Sequence, residues 1–507
     1  MELKPNVLTA IAIVALMLSA IGAGAGILAL TTPGTEGPEG PAGETGDKGD
    51  PGFGFAGLVI AAYNSIDNQN ADYVCDGTDD QEELNEAIAA LPEQGGSIYL
   101  REGTYVLSGN VTVTRSDVQL KGAGSATKMV LEPSMNESIC AFLIEDASNI
   151  KISDLSIEGK AMDGSEAPMR GTLLGNSTDC ELSGLHINDM KTHGINTINS
   201  TDITIDANCI SNCTLSAILL VGTDDALVIG NTLDGGVDST LRLEQCQNSI
   251  VSNNIVSSSA WHGILLHYCE MNTVESNVVY ASGSCGIYLD TSSRNVVSAN
   301  QALESALYGI FVGFLSSHNT VTGNTVHGSG GNGISLDNSR GNVVNANLVT
   351  DSGWQGINLY ICSAATVNGN TVETTGYSGI SLSTCDSCLV TDNTVCDADQ
   401  NGIRLSSSSD NVLRGNVVFG NSQNPSNSFS GIYLSSNSNH NLIDGNSVRM
   451  GTGTAKQRYG IYIAQLNCNV NVVINNDLYY AGLTADYIDD GTDTEFHNNL
   501  VRSGWVA

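Results

Sequence analysis

Glu244, His267 and Asp290 stand 23 residues apart, and so do Ser239, His262 and Cys285. Acids and histidines at one fixed spacing gather in space only if each interval is one turn of a regular structure. On that premise three columns of side chains share a face. The first runs Glu244, His267, Asp290, Gly313, Asp337, Tyr360; the second Arg242, Leu265, Tyr288, Phe311, Ser335, Asn358; the third Ser239, His262, Cys285, Tyr308, Asn332, Gln355. Glu244 and Asp290, two turns or roughly 9.5 Å apart, stand near the upper limit for an acid and base that cleave a glycosidic bond with inversion. His267 between them, or His262 beside it, offers a base for elimination, with Arg242 to offset the charge of a uronate. Tyr288, Tyr308, Phe311 and Tyr360 offer stacking surfaces for sugar rings, and Asp337 lies beside them. The competing expectation is that these are the ordinary outward residues of any sheet, with no chemistry attached.

The spacing is that of a repeat. A Gly-Ile-x-Leu unit or close variant begins at 194, 217, 240, 263, 286, 309, 333, 356, 379, 402, 431 and 460, and Asn recurs in step from 208 to 476. Each interval carries short β-branched strands, such as Thr320-Val321-Thr322, bounded by Gly, Asn or Ser. Leucine-rich repeats share this period but give half of it to a convex segment with several Leu positions. A parallel β-helix fits instead, one interval per coil and coils stacked about 4.8 Å apart. The period does not fix the hand, although parallel crossovers are overwhelmingly right-handed. Ile and Leu of the unit then point inward, and residues one before, two after and four after the Gly point outward. The Asn column reads as a hydrogen-bonded ladder at a bend. Two longer coils, after Gly402 and Gly431, predict lengthened loops near residues 423–427 and 451–458, of the kind that wall a binding face.

Ahead of the repeats, Thr78-Asp79-Asp80-Gln81 reads as a capping box opening an amphipathic helix with Leu84, Ala87, Ile88 and Leu91, which Pro92 and Gly95-Gly96 end. A single such helix before a strand-only chain predicts a lid on an open sheet end. The string Asp76-Gly77-Thr78-Asp79-Asp80, this helix and Gly95-Gly96-Ser97-Ile98-Tyr99-Leu100 resemble the start of pectate-lyase-superfamily and phage-tailspike β-helices. The repeats over residues 180–480 resemble the NosD-type right-handed β-helix. The resemblance implies an all-β fold, a single-stranded right-handed parallel β-helix with an N-terminal helical cap. It implies little about function, because that fold carries binding, hydrolysis, elimination and structural roles. The set of paired Asp, Gly-His-Gly and Arg-x-Lys that polygalacturonases carry on successive coils is absent, as is the Asp-Pro-His-Glu of alginate epimerases. Pectate lyases need a calcium-binding acid cluster beside a catalytic Arg, and only Arg242 is near the patch. The 8 His and 9 Met are scattered, which argues against copper storage.

Residues 7–30 form an uncharged apolar run long enough to span a bilayer, while Ala23-Gly24-Ala25 has the form of a signal peptidase site. Anchor and cleaved signal both stay open, and either one exports the chain. Gly at 34, 37, 40, 43, 46, 49 and 52 then sets a collagen period with Pro38, Pro41 and Pro51, which predicts either a homotrimer or a solvated spacer. The organisation expected is a membrane-spanning or signal helix over 1–32, a collagen-like stalk over 33–57, cap and first coils over 58–135, the β-helix over 136–482 and a C-terminal cap over 483–507.

Nineteen basic against 54 acidic residues leave a net charge of −35, which excludes nucleic acid as a partner. The cysteine count, 13, is odd. Cys246 and Cys269 share a register, as do Cys362 and Cys385; parallel Cβ vectors predict buried thiols rather than bridges. Cys385-Asp386-Ser387-Cys388 lacks a second pair, so zinc is not expected. Sequons at Asn110, Asn136, Asn176, Asn199 and Asn212 are glycosylation candidates. The expectation is an exported cell-surface protein without a cofactor, calcium being compatible but unsupported. It binds polysaccharide or a neighbouring surface protein in an adhesive or structural role. The alternatives are a polysaccharide hydrolase or lyase, and a surface-layer component that associates through divalent cations.

Overall fold

The computed structural model describes residues 57–132, 138–159, 168–424, 428–452, 456–502 and 504–506. The apolar run at 7–30, the collagen-like triplets and the sequon at Asn136 lie outside the described residues. Among the described residues, no helix is long and apolar enough to cross a membrane.

The coils stack as three parallel sheets. A front sheet of 16 strands holds the Gly-Ile-x-Leu units, from Val111–Val113 to Ala485–Asp489. A side sheet of 19 strands follows it in each coil, and a back sheet of 15 strands completes the turn. Ile264–His267, Thr273–Glu275 and Val278–Tyr280 are one such coil. Register is strict: Ile264 pairs with Ile287, Leu266 with Leu289 and His267 with Asp290. Side-chain alternation sends Ile264, Leu266, Val274 and Val279 into one continuous core, where all are fully buried. The stack ends after Glu495–His497, where Asn499–Val501 and Gly504–Val506 pair antiparallel.

Glycine opens most front strands for a packing reason. A Cβ on Gly309 would fall 2.2 Å from Val326 Cγ1 and 2.8 Å from the carbonyl oxygen of Gly333. The expected Asn ladder is present. Asn277 Nδ2 donates to Val251 O at 2.9 Å and to Asn300 Oδ1 at 2.9 Å, and its backbone N–H donates to the same Asn300 oxygen. A second ladder, Asn272, Asn295, Asn319 and Asn342, occupies the bend between front and side sheets. Buried thiols stand in that region too: all thirteen cysteines are free, and Cys362 and Cys385 stack on adjacent coils.

The helix Gln81–Ala90 covers the first coil through Leu84, Ala87 and Ile88. Its start differs from the capping box. Asp80 is the N-cap residue and makes no side-chain cap bond. Its carboxylate accepts from the backbone of Gly77 and Val106, while Gln81 turns to the backbone of Ser108. Thr78 instead donates to Asp76. The acidic string therefore ties the helix to the first coil rather than capping it. Among the sequons, Asn176, Asn199 and Asn212 are exposed at turns, whereas Asn110 spends its Oδ1 on the backbone N–H of Cys140.

Candidate functional site

The three columns lie on the outer face of the front sheet, but their members differ sharply in environment. Glu244 does not face Asp290 freely. Arg242 sits on the same strand and face, and its guanidinium pairs with Glu244 at 3.0 Å and with Asp238 at 2.7 Å. His267, on the next coil, comes between Glu244 and Asp290 and bonds Asp290 through Nδ1 at 2.9 Å. Asp290 is further framed by Thr291, whose hydroxyl donates to it at 3.2 Å. The structure thus separates two groups: a closed Asp238–Arg242–Glu244 cluster and a His267–Asp290 pair.

His262 is not an available base. It is buried between Trp261 and Tyr288, and its Nδ1 accepts the backbone N–H of Cys285 at 3.4 Å. Burial holds its pKa below the usual value, so it stays neutral and positions the Tyr288 ring.

The aromatics are packed, not laid open in a row. Tyr288, 9% exposed, joins Leu265 and Cys285 in a small apolar cluster outside the main core, with Tyr308 and Phe311 against it. Tyr288 and Phe311 stack at 4.9 Å with planes 17° apart, and Tyr308 tilts onto Phe311 at 4.8 Å. Phe311 lies across Gly313, where a Cβ would sit 2.7 Å from the ring. That glycine is what lets an aromatic floor occupy the position between Asp290 and Asp337.

Asp290 pairs with Gly313, and Val312 pairs with Leu336, which sets Asp337 two coils from Asp290, about 9.6 Å along the stack. Unlike Asp290, Asp337 has no hydrogen-bond or ion-pair partner among the described residues, and burial raises its pKa above the usual carboxylate range. The Tyr288 hydroxyl is held protonated by burial and by the Asp290 charge beside it. Two carboxyl groups thus flank one aromatic surface in unlike environments, which is how acid and base roles become separated.

Both edges of this floor carry exposed rings that column counting misses. Tyr268 packs on His267 at 4.2 Å and Phe314 on Phe311 at 6.4 Å along one edge. Along the other, Trp261 is 61% exposed, and Trp354 and Tyr377 stand on adjacent coils four and five turns on. These residues occupy bends, one position outside the strand-based columns. Tyr360, one coil beyond Asp337, is exposed and touches none of the other rings.

The family model described as "Periplasmic copper-binding protein (NosD)" matches residues 95–260 and 153–328, and that described as "Right handed beta helix region" matches 303–448. The chain is a right-handed parallel β-helix protein with NosD-type repeats. Comparison with the curated proteins finds no match. Among solved structures, this β-helix is similar to the mannuronan C-5 epimerase AlgE4 A-module of Azotobacter vinelandii, at 18% identity and a TM-score of 0.47, covering 66% of this chain and 94% of that one. It is also similar to the DFA-IIIase of Arthrobacter chlorophenolicus A6, at 14% identity and a TM-score of 0.46, covering 70% and 94%. The catalytic unit of a GH87 α-1,3-glucanase from Streptomyces thermodiastaticus HF3-3 aligns at 15% identity and a TM-score of 0.42, covering 74% and 66%.

The copper of the family description does not fit this β-helix. Among the described residues, three potential ligands converge once, at Cys75, Asp80 and Glu83. Both Asp80 oxygens already accept backbone N–H groups, and burial and neighbouring acids keep the Cys75 thiol protonated. One buried thiol with two carboxyls lacks the imidazole and thioether donors that suit copper.

Proposed function

We propose that this β-helix is an exported enzyme that hydrolyses a polysaccharide on its front sheet. The observation that carries the reading is the pair Asp290 and Asp337 on either side of the Phe311 ring, one held by His267 and the other without a partner and raised in pKa. A sugar ring stacks its apolar face on Phe311. Asp337, protonated, gives its proton to the glycosidic oxygen as the bond to the anomeric carbon breaks. Asp290, oriented by His267, takes a proton from the water that attacks that carbon from the opposite side. One water is consumed, and the two carboxyls exchange protonation states before solvent resets them. The two strand positions stand about 9.6 Å apart along the stack, against a limit of about 9.5 Å for the carboxyl groups of an inverting pair, and leave room for that water. The edge rings Trp261, Trp354 and Tyr377 extend the stacking surface well beyond one sugar, which favours a polymer over a small glycoside.

Incubation of the full chain with a panel of neutral and acidic polysaccharides, read by mass spectrometry, tests this. Shortened chains, each heavier by one water per cut, are expected from at least one polymer. Unsaturated ends would replace hydrolysis by elimination. Intact polymer retained on the protein would make it an adhesin, and calcium-dependent self-association without polymer binding would point to surface assembly.

A further inference from the structure

The front sheet carries a second aromatic surface that the cleavage site does not use. Register places Arg404 beside Tyr433, and Tyr433 beside Tyr462. The Tyr433 and Tyr462 rings lie 5.6 Å apart, Tyr459 meets Tyr462 at 4.9 Å, and the Tyr462 hydroxyl donates to Asp490 at 2.9 Å on the side away from Arg404 in register. Arg458 lies over the Tyr459 ring at 4.9 Å. The cluster sits on the coils that begin at Gly402, Gly431 and Gly460, the last two following the lengthened loops.

Two open guanidinium groups beside the tyrosines distinguish the cluster. In a chain of net −35, acidic partners are abundant, and Arg101, Arg242, Arg294, Arg414, Arg449 and Arg502 each pair with a carboxylate. Arg404 and Arg458, like Arg115, Arg170 and Arg340, pair with no acid among the described residues; Arg404 lies beside Tyr433 in register, and Arg458, two coils on, lies over Tyr459. Two guanidinium groups left open beside tyrosines that meet at tilted and edge-on angles combine aromatic surface with planar recognition of a carboxylate. Between this cluster and the Asp337 coil the floor is low: Ser335, Asn358 and Ser381 occupy successive coils of the same column. Tyr433 is four coils beyond Ser335, about 19 Å along the stack.

We propose that Arg404, Tyr433, Tyr459, Tyr462 and Arg458 form a distal subsite for a carboxylate-bearing polysaccharide, one that runs along the front sheet from the cleavage site. This rests on the reading of that sheet as a polysaccharide surface, and it adds the charge and minimum reach of the polymer. Acidic repulsion from the rest of the shaft then confines an anionic chain to this track, and binding weakens with salt.

The test is equilibrium binding, which needs no turnover. The wild-type chain and the R404A/R458A and Y433A variants are measured against hyaluronan, polygalacturonate and carboxymethyl cellulose, with dextran and hydroxyethyl cellulose as neutral partners. At least one carboxylated polymer is expected to bind more tightly than the neutral ones, with affinity falling tenfold or more in R404A/R458A and in Y433A. Circular dichroism checks that the variants keep the wild-type fold. Equal affinity for neutral and carboxylated polymers, affinity unchanged in the variants, or no binding by any of them overturns the subsite. Selective binding that the variants abolish, without any cleavage, keeps the subsite and overturns the hydrolase instead.

Discussion

Replacing Asp337 by Asn lowers kcat on the cleaved polymer by about a thousandfold and leaves polymer affinity within a few-fold of wild type, because loss of a general acid typically removes two to four powers of ten. Asn keeps the shape and loses the proton. The effect is specific to the carboxyl that has no partner: E244Q, which disturbs only the pair with Arg242, changes kcat by less than tenfold. The pH profile carries the same signature. Burial raises the Asp337 pKa, so the acid is available below that pKa and is lost as pH rises through it, giving wild-type activity a descending limb on the alkaline side. Initial rates and binding isotherms on both variants check this. A large loss in E244Q with full activity in D337N would return the acid role to Glu244.

The second large effect concerns the scaffold. Asn300 Nδ2 donates to Val274 O at 2.9 Å and to Asn324 Oδ1 at 3.0 Å, while its own Oδ1 accepts the backbone N–H and the side chain of Asn277. N300A removes the side-chain partner of the buried Val274 carbonyl and of the buried Asn277 N–H, while Asn277 Nδ2 keeps Val251 O and Asn324 Oδ1 keeps the backbone N–H of residue 300. At about 1–3 kcal/mol for each of the two orphaned groups, the loss is about 2–6 kcal/mol. The neighbouring bend adds to the strain, since Ala299 holds a left-handed φ of 54° that the ladder helps to fix. Guanidinium unfolding followed by circular dichroism reads the change. A loss below about 1 kcal/mol would mean that the ladder is incidental to stability.

Most of the scaffold was legible because it repeats. The Gly-Ile-x-Leu period fixes which side chains face inward, and the Asn column at 208–476 marks one bend. The second ladder escaped notice because Ala365 and Cys388 interrupt it between Asn342 and Asn411. The site was legible as columns but not as partners. Arg242 and Glu244, two residues apart on one strand, necessarily share a face and pair, which same-face geometry alone decides. Asp337 was placed among the binding residues because its isolation depends on the absence of a side chain at Gly313 and on the Phe311 ring that lies across that glycine. Trp261, Trp354 and Tyr377 were missed because they lie on bends, where strand alternation no longer assigns a direction. The distal tyrosines follow the two 29-residue steps, where strict 23-residue counting loses register with the earlier columns.

The central claim is that Asp290 and Asp337 act across the Phe311 floor as an inverting pair. Proton NMR of the first reducing ends released from the susceptible polymer, recorded before the anomers equilibrate, tests it most directly. The account predicts the anomer opposite to that of the bond cleaved. Retention of configuration, an unsaturated end, or no new end from any polymer would contradict it.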